Sequence, residues 1–341
     1  MKIARILTKA RVRPMPARRL SLLQLDQEGT QDLSTPIKQS SVLGFGSGAK
    51  RACLAACLGF VAMTPAAQAQ QASNGYVAGA ERIDLSDRVR MNSQRIAAMS
   101  CMIDAGANVD ENRAAILEAM TEVDGLLAAL KDGDTDLNVT VAESDRKMLT
   151  AIRGVSLQWE LFRDALDLRL TAGAQSVGPD YVSRQNLNLM HASKYLVSEA
   201  ISAYAIPPAL LQNDAFTLQI VARQRTLAQQ IAKETCGVLT GNNMMGNEKR
   251  LANSTRRFDA SFNALVNGFP AAGVSAPATD EIKAGLAAMK SDWAELQGAL
   301  ASVDADADPA QAGSIVSKLD SLMVQFDALV PLYVEESKSG L

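Results

Sequence analysis

The chain has 341 residues, enough for one or two sizeable cores, and its 34 basic and 37 acidic residues give a net charge of −3. The charge is unevenly spread: residues 1–69 hold ten Lys and Arg against three Asp and Glu, which leaves 24 basic and 34 acidic residues from Gln70 onward. An acidic body with no basic patch excludes a nucleic-acid-binding protein, and a single histidine, His191, excludes a histidine-based metal site and Ser/His/Asp chemistry.

In chain order, the first feature is Lys50-Arg51, an apolar run from Ala52 to Met63 and then Ala67-Gln68-Ala69. This is the order of a charged region, a hydrophobic region and a small-x-small cleavage site. It predicts a leader over residues 1–69, cleaved between Ala69 and Gln70, with export to the periplasm. The basic stretch before Lys50 is read as the product of a start codon assigned too early. Leu54-Ala55-Ala56-Cys57 resembles a lipoprotein box, but it lies close to Arg51 and the apolar run continues past it. That run is too short to cross a bilayer, and no later run reaches the needed length; Leu329 to Val334 is interrupted by Pro331.

From Gly79 on, aromatics are few, alanine and leucine abundant, and nearly every segment between turn signals has a 3.6-residue period. The reading is all-α, with helices over Gly79–Ala105, Glu111–Leu130, Ala142–Thr171 and Asp180–Ala205, then Ala209–Leu239, Asn247–Asn267, Ala278–Val303 and Pro309–Ser337. Breaks are marked by Gly106, by Asp132-Gly133-Asp134, by Gly173 through Pro179, by Gly241 to Gly246, by Gly268-Phe269-Pro270 and by Asp304 to Pro309.

The two groups of four correspond. Ile83 to Cys101 returns as Leu218 to Cys236 at an offset of 135, with Arg88/Arg223, Arg90/Arg225, Gln94/Gln229, Ile96/Ile231, Ala97/Ala232 and Cys101/Cys236 identical. Trp159 and Trp293, then Met190 and Met323, continue the match at offsets of 134 and 133. The expected architecture is two tandem antiparallel four-helix (up-down) bundles related by internal duplication, over residues 70–206 and 207–341. An even number of antiparallel helices returns the chain to its starting end, so Ile206-Pro207-Pro208 should begin the second bundle there with the two first helices parallel.

Arg90, Gln94, Ala97 and Cys101 are spaced i, i+4, i+7, i+11 and share one stripe of a helix, as do Arg225, Gln229, Ala232 and Cys236. If the stripes meet, Arg90 faces Arg225 and Cys101 comes within bridging distance of Cys236, a disulfide being the default in an oxidising compartment. Two facing guanidinium groups repel and cannot lose their protons. A small planar oxyanion such as nitrate, nitrite or a carboxylate would match both forks, with Gln94 and Gln229 donating amide hydrogens. Alternatively, each arginine pairs with a nearby carboxylate or points into water: Asp87 stands i, i+3 to Arg90, while its counterpart Ala222 cannot serve Arg225.

The stretch Ile83-Asp84-Leu85-Ser86-Asp87-Arg88-Val89-Arg90-Met91-Asn92-Ser93-Gln94-Arg95 resembles the opening helix of NarX-like periplasmic sensor domains. Their pattern runs Ile-Asn-x-Ala-Gly-x-x-Arg-Met-x-Ser-x-Arg. The run Ala222 to Gln230 resembles the version in the type IV pilus methyl-accepting chemotaxis transducers (PilJ). The resemblance implies a four-helix sensor domain in which the arginine before the methionine binds nitrate between equivalent helices, here Arg90 and, by duplication, Arg225. Asp87 stands where the pattern has glycine, Gln230 where it has a second arginine, and Thr226 where it has methionine. Such sensors continue through a membrane helix into a signalling module; with none following here, a signal must pass to a membrane-bound partner.

Other constellations carry less. Asp132, Asp134, Asp136 and Glu143 have the spacing of a calcium loop, but Leu137 occupies the position that requires glycine, and an acidic turn with a helix cap is the plainer reading. Asp304, Asp306 and Asp308 read as a solvated turn, His191 as a helix-surface residue, and Trp159 and Trp293 as core aromatics. The expected protein is a periplasmic sensor or binding protein, not an enzyme, without a cofactor or metal. It takes a small anion between its repeats; the alternative is a ligand-free helical interaction module of the cell envelope.

Overall fold

The computed structural model describes residues 65–341 apart from 174–175, 207–209, 242–243, 304–308 and 340–341. The leader expected over residues 1–69 therefore lies largely outside the described residues, as do the Pro207-Pro208 link and the Asp304, Asp306, Asp308 turn. Among the described residues the fold is all-α, with eight helices and two isolated β-bridges: α1 Pro65–Asp104, α2 Val109–Asp132, α3 Arg146–Ala172, α4 Pro179–Tyr204, α5 Gln212–Leu239, α6 Met244–Asn267, α7 Asp280–Leu300 and α8 Pro309–Ser339. No helix among them is long and apolar enough to cross a membrane.

Boundaries move where caps act. α3 starts at Arg146, not Ala142, because Asp145 accepts hydrogen bonds from the backbone N–H groups of Lys147 and Met148 at 2.8 and 2.9 Å and fixes the first turn there. Thr279 likewise opens α7 by accepting from the Ile282 N–H at 3.2 Å. α1 extends back to Pro65 through an alanine- and glutamine-rich run of good helix formers.

The helices run up and down. Arg82 bonds the Leu130 carbonyl and Arg88 pairs with Glu122, so rising numbers in α1 meet falling numbers in α2. Asp124 with Trp159 sets α3 against α2, and Asn186 with Ser93 sets α4 against α1. In the other group Gln224 bonds Ser261, Asp259 bonds Trp293, Lys318 bonds Glu295 and Asp327 bonds Arg225. Thus α1 is flanked by α2 and α4, α5 by α6 and α8, and α1 and α5 pack along each other.

The packing anchors recur at matching offsets. Trp159 Nε1 donates to Asp124 at 2.8 Å and Trp293 Nε1 to Asp259 at 3.3 Å, so each buried indole satisfies its polar edge in the same way. Gly133 and Gly268, at φ +85° and +73°, end α2 and α6 in left-handed turns, and the bridges Asp134 to Val139 and Phe269 to Val274 follow them. The part of the core around α6 to α8 is the more aromatic, with Phe258 tilted against Trp293 at 4.1 Å and edge-on to Phe326 at 5.9 Å. His191 is exposed on α4.

Candidate functional site: the charged seam of the two central helices

α1 and α5 are buried nearly all round, α5 from Ala215 to Val238, and much of what they bury is polar. Across their contact Asp84 meets Arg225, Asp87 meets Thr226 at 3.4 Å, Gln94 meets Lys233 at 2.6 Å, and Cys101 is disulfide-bonded to Cys236 with Cα atoms 6.1 Å apart. Both numbers rise together, so the helices are parallel.

The disulfide keeps the offset of 135 that relates Arg90 to Arg225. The polar side chains of α5 lean back toward its N-terminus and meet partners on α1 at offsets of 139 to 141, about one helical turn further. Both arginines lie against carboxylates of the chain itself, Asp87 being near each of them. Arg90 pairs with Asp87 on its own helix. Arg225, 1% exposed, pairs with Asp84 across the seam and with Asp327 of α8 at 2.6 Å, and Asp87 lies 3.9 Å away. Burial works against the Arg225 cation, but Asp84, Asp87 and Asp327 outweigh it and hold it above the usual arginine range. The glutamines are likewise committed: Gln94 donates to Ser93 Oγ at 3.0 Å and Gln229 to Asp320 at 2.8 Å. The lean of Arg225 has a physical reason, since facing guanidinium groups would repel in a buried contact whereas a side chain turned back along α1 meets carboxylates.

Among the described residues, Arg223 is the arginine of α1 and α5 left without a carboxylate partner. In α1 its counterpart Arg88 pairs with Glu122. Counting 135 on from Glu122 reaches Arg257 of α6, so the second group carries two guanidinium groups where the first has an ion pair. Neither Arg223 nor Arg257 pairs with a carboxylate among the described residues. Burial, and then the positive neighbours Arg90 and Arg257, hold the half-buried Arg223 below the usual arginine value, with Asp87 opposing them. Arg90 Nε is buried without a hydrogen-bond partner among the described residues. Sequence reasoning passed over Arg223 and Arg257, although the offset from Glu122 was a signal for them.

Buried polar atoms without a partner among the described residues concentrate here: Arg90 Nε, both amide atoms of Asn92, and oxygens of Gln224, Gln229, Glu234 and Thr235. Burial also pushes the Lys233 ammonium down to about 8, Glu234 opposing and Arg250 adding to the shift; its head group donates to Gln94 and, at 3.2 Å, to Asn186. A base held below its unfolded value near 10.5 is a cost at neutral pH that fades as pH rises from about 8 toward 10.5. Chemical unfolding at pH 7 to 10 should show the wild type gaining on Lys233→Met by on the order of 3 kcal/mol; parallel pH curves would refute a charged, buried Lys233.

The acidic turn after α2 is used internally. Asp134 Oδ1 accepts from the Asp136 N–H at 2.8 Å, and Glu143 binds Arg82 at 3.1 Å, the Tyr204 hydroxyl and the N–H groups of Ser144 and Asp145. No group of three or more His, Cys, Asp or Glu side chains among the described residues is placed to hold a metal ion.

The fold and seam define an all-helical module whose two central helices are locked together by charge pairs and a disulfide. Within it, residues 209–317 match the model of a known family, described as type IV pili methyl-accepting chemotaxis transducer N-term (PilJ), whose domain is a signalling module. No curated protein and no solved structure matches the chain.

Proposed function

We propose that the protein is a non-enzymatic sensory module of the PilJ and NarX-like type, exported to the periplasm, that binds a small oxyanion at the α1–α5 seam and reports to a membrane-bound partner. Two tandem four-helix units, residues 70–206 and 207–341, would have arisen by duplication, so that one chain carries both halves of a sensor dimer. The repeated Trp-Asp bonds, turn glycines and bridges support this history.

The observation that carries the anion reading is Arg223, a seam arginine without a carboxylate partner among the described residues. Arg225 is already neutralised by Asp84 and Asp327, so a nitrate, nitrite or carboxylate would have to displace fixed carboxylates there. Arg223, flanked by Arg257 and the free Nε of Arg90, is where an anion gains most, because a charge-assisted bond would relieve three like charges together. Gln94 and Gln229 then serve as second-rank polar groups of the seam rather than direct ligands.

Calorimetric titration with nitrate, nitrite and acetate in a chloride-free buffer tests this. Binding should weaken tenfold or more in Arg223→Ala and vanish in Arg257→Glu, which rebuilds the ion pair of Arg88 with Glu122. Absence of heat in the wild type, or binding untouched by both changes, refutes it. The internal closure of Arg90 and Arg225 by carboxylates favours a second reading, a ligand-free interaction module of the envelope, for which no anion would raise the melting temperature.

A further inference from the structure

Away from the seam, where α1 ends and α2 begins, a cavity of ≈ 260 Å³ opens between α1, α2 and α3. Five aliphatic side chains line it, among them Ile103, Val109 and Ile116, and three polar residues complete it: Ser100, Arg113 and Arg169. Ser100 is 2% exposed and its hydroxyl makes no hydrogen bond among the described residues. Arg169, 5% exposed, is held by Asp104 and the Val177 carbonyl. Arg113 donates to the Leu170 carbonyl and pairs with no carboxylate among the described residues. It sets a guanidinium group beside an apolar hollow.

Packing does not require this arrangement. At the corresponding offsets of 135 and 134 the second group of helices has Glu248 and Val303 in place of Arg113 and Arg169. A cavity of about 150 Å³ takes up benzene, so the present one suits roughly ten heavy atoms. We infer that it is a binding site for a small amphipathic carboxylate, with an apolar body of about seven carbons against the aliphatic walls and the carboxylate on Arg113 and Ser100.

Calorimetry of the protein with octanoate, octanol and acetate tests it, together with Arg113→Gln and with Val109→Trp, a change at the rim that fills the hollow. Octanoate should bind at least tenfold more tightly than octanol or acetate, weaken by a similar factor in Arg113→Gln, and lose its heat in Val109→Trp. The Ile103 and Ile116 methyl resonances should shift on octanoate addition in the wild type. Nitrate titration of Val109→Trp should match the wild type, which separates this site from the seam. No octanoate binding, octanol binding as tightly, or an affinity unchanged in both variants, with their folding checked by circular dichroism, would overturn the inference.

Discussion

Replacing Cys101 and Cys236 together by alanine should lower the free energy of unfolding by about 5 kcal/mol. The two cysteines are 135 residues apart and joined in the structure, and in the chain-entropy account a loop that long removes about this much freedom from the unfolded chain. The bridge ties the ends of two parallel helices, so its loss should also loosen the α1–α5 contact relative to either flanking group. Denaturation midpoints with and without reductant, compared with the double variant, give the value. Hydrogen exchange of the α1 and α5 amides shows where protection falls. A midpoint unmoved by reduction would mean that these thiols are not bonded in the folded protein.

Arg225→Met should be the most damaging single substitution in the seam, costing about 3 to 5 kcal/mol. Arg225 is 1% exposed and serves Asp84 and Asp327, with Asp87 close by. Removing the cation strands Asp84 and Asp87 in a poorly solvated contact, while the half-exposed Asp327 turns to water, and the loss exceeds what the pair itself contributed. Burial already holds the Asp84 carboxyl above its usual range, Arg225 being the main opposing influence. Without the arginine that carboxyl takes up a proton more readily, so the variant's deficit should narrow as the pH falls toward the carboxylate range. Adding Asp84→Asn and Asp327→Asn to Arg225→Met should recover a large part of the loss, and the double-mutant cycle measures the coupling. A loss below about 1 kcal/mol would show that Arg225 behaves as an exposed, screened charge. Arg223→Ala should do the opposite, sparing stability while removing the cation that an anion would meet.

The contrast between Arg225 and Arg223 shows how far the residues alone lead. Helix periodicity and glycine turns place all eight helices, with ends off by a turn or so where a cap such as Asp145 takes over, and with the start of α1 at Pro65 well before the expected Gly79. The offset of 135 sets Cys101 against Cys236, and the structure joins them. The same arithmetic, followed to Glu122 and Arg257, would have exposed the unmatched cation. The partners that close Arg225 were not readable, because Asp84 and Asp327 stand 141 and 102 residues away and belong to other helices.

Periodicity fixes which side of a helix is buried, since that depends only on the angle between successive residues. It leaves open which way a long side chain leans along that face, because every turn offers a similar neighbour. Composition and repeat spacing therefore determined an all-helical chain with a polar stripe on α1 and α5. Tertiary packing alone decided the partners of that stripe, in which carboxylates from α1 and α8 close Arg225 although the disulfide keeps the offset of 135. The choice follows from electrostatics, since like charges buried together repel while a carboxylate one turn away attracts.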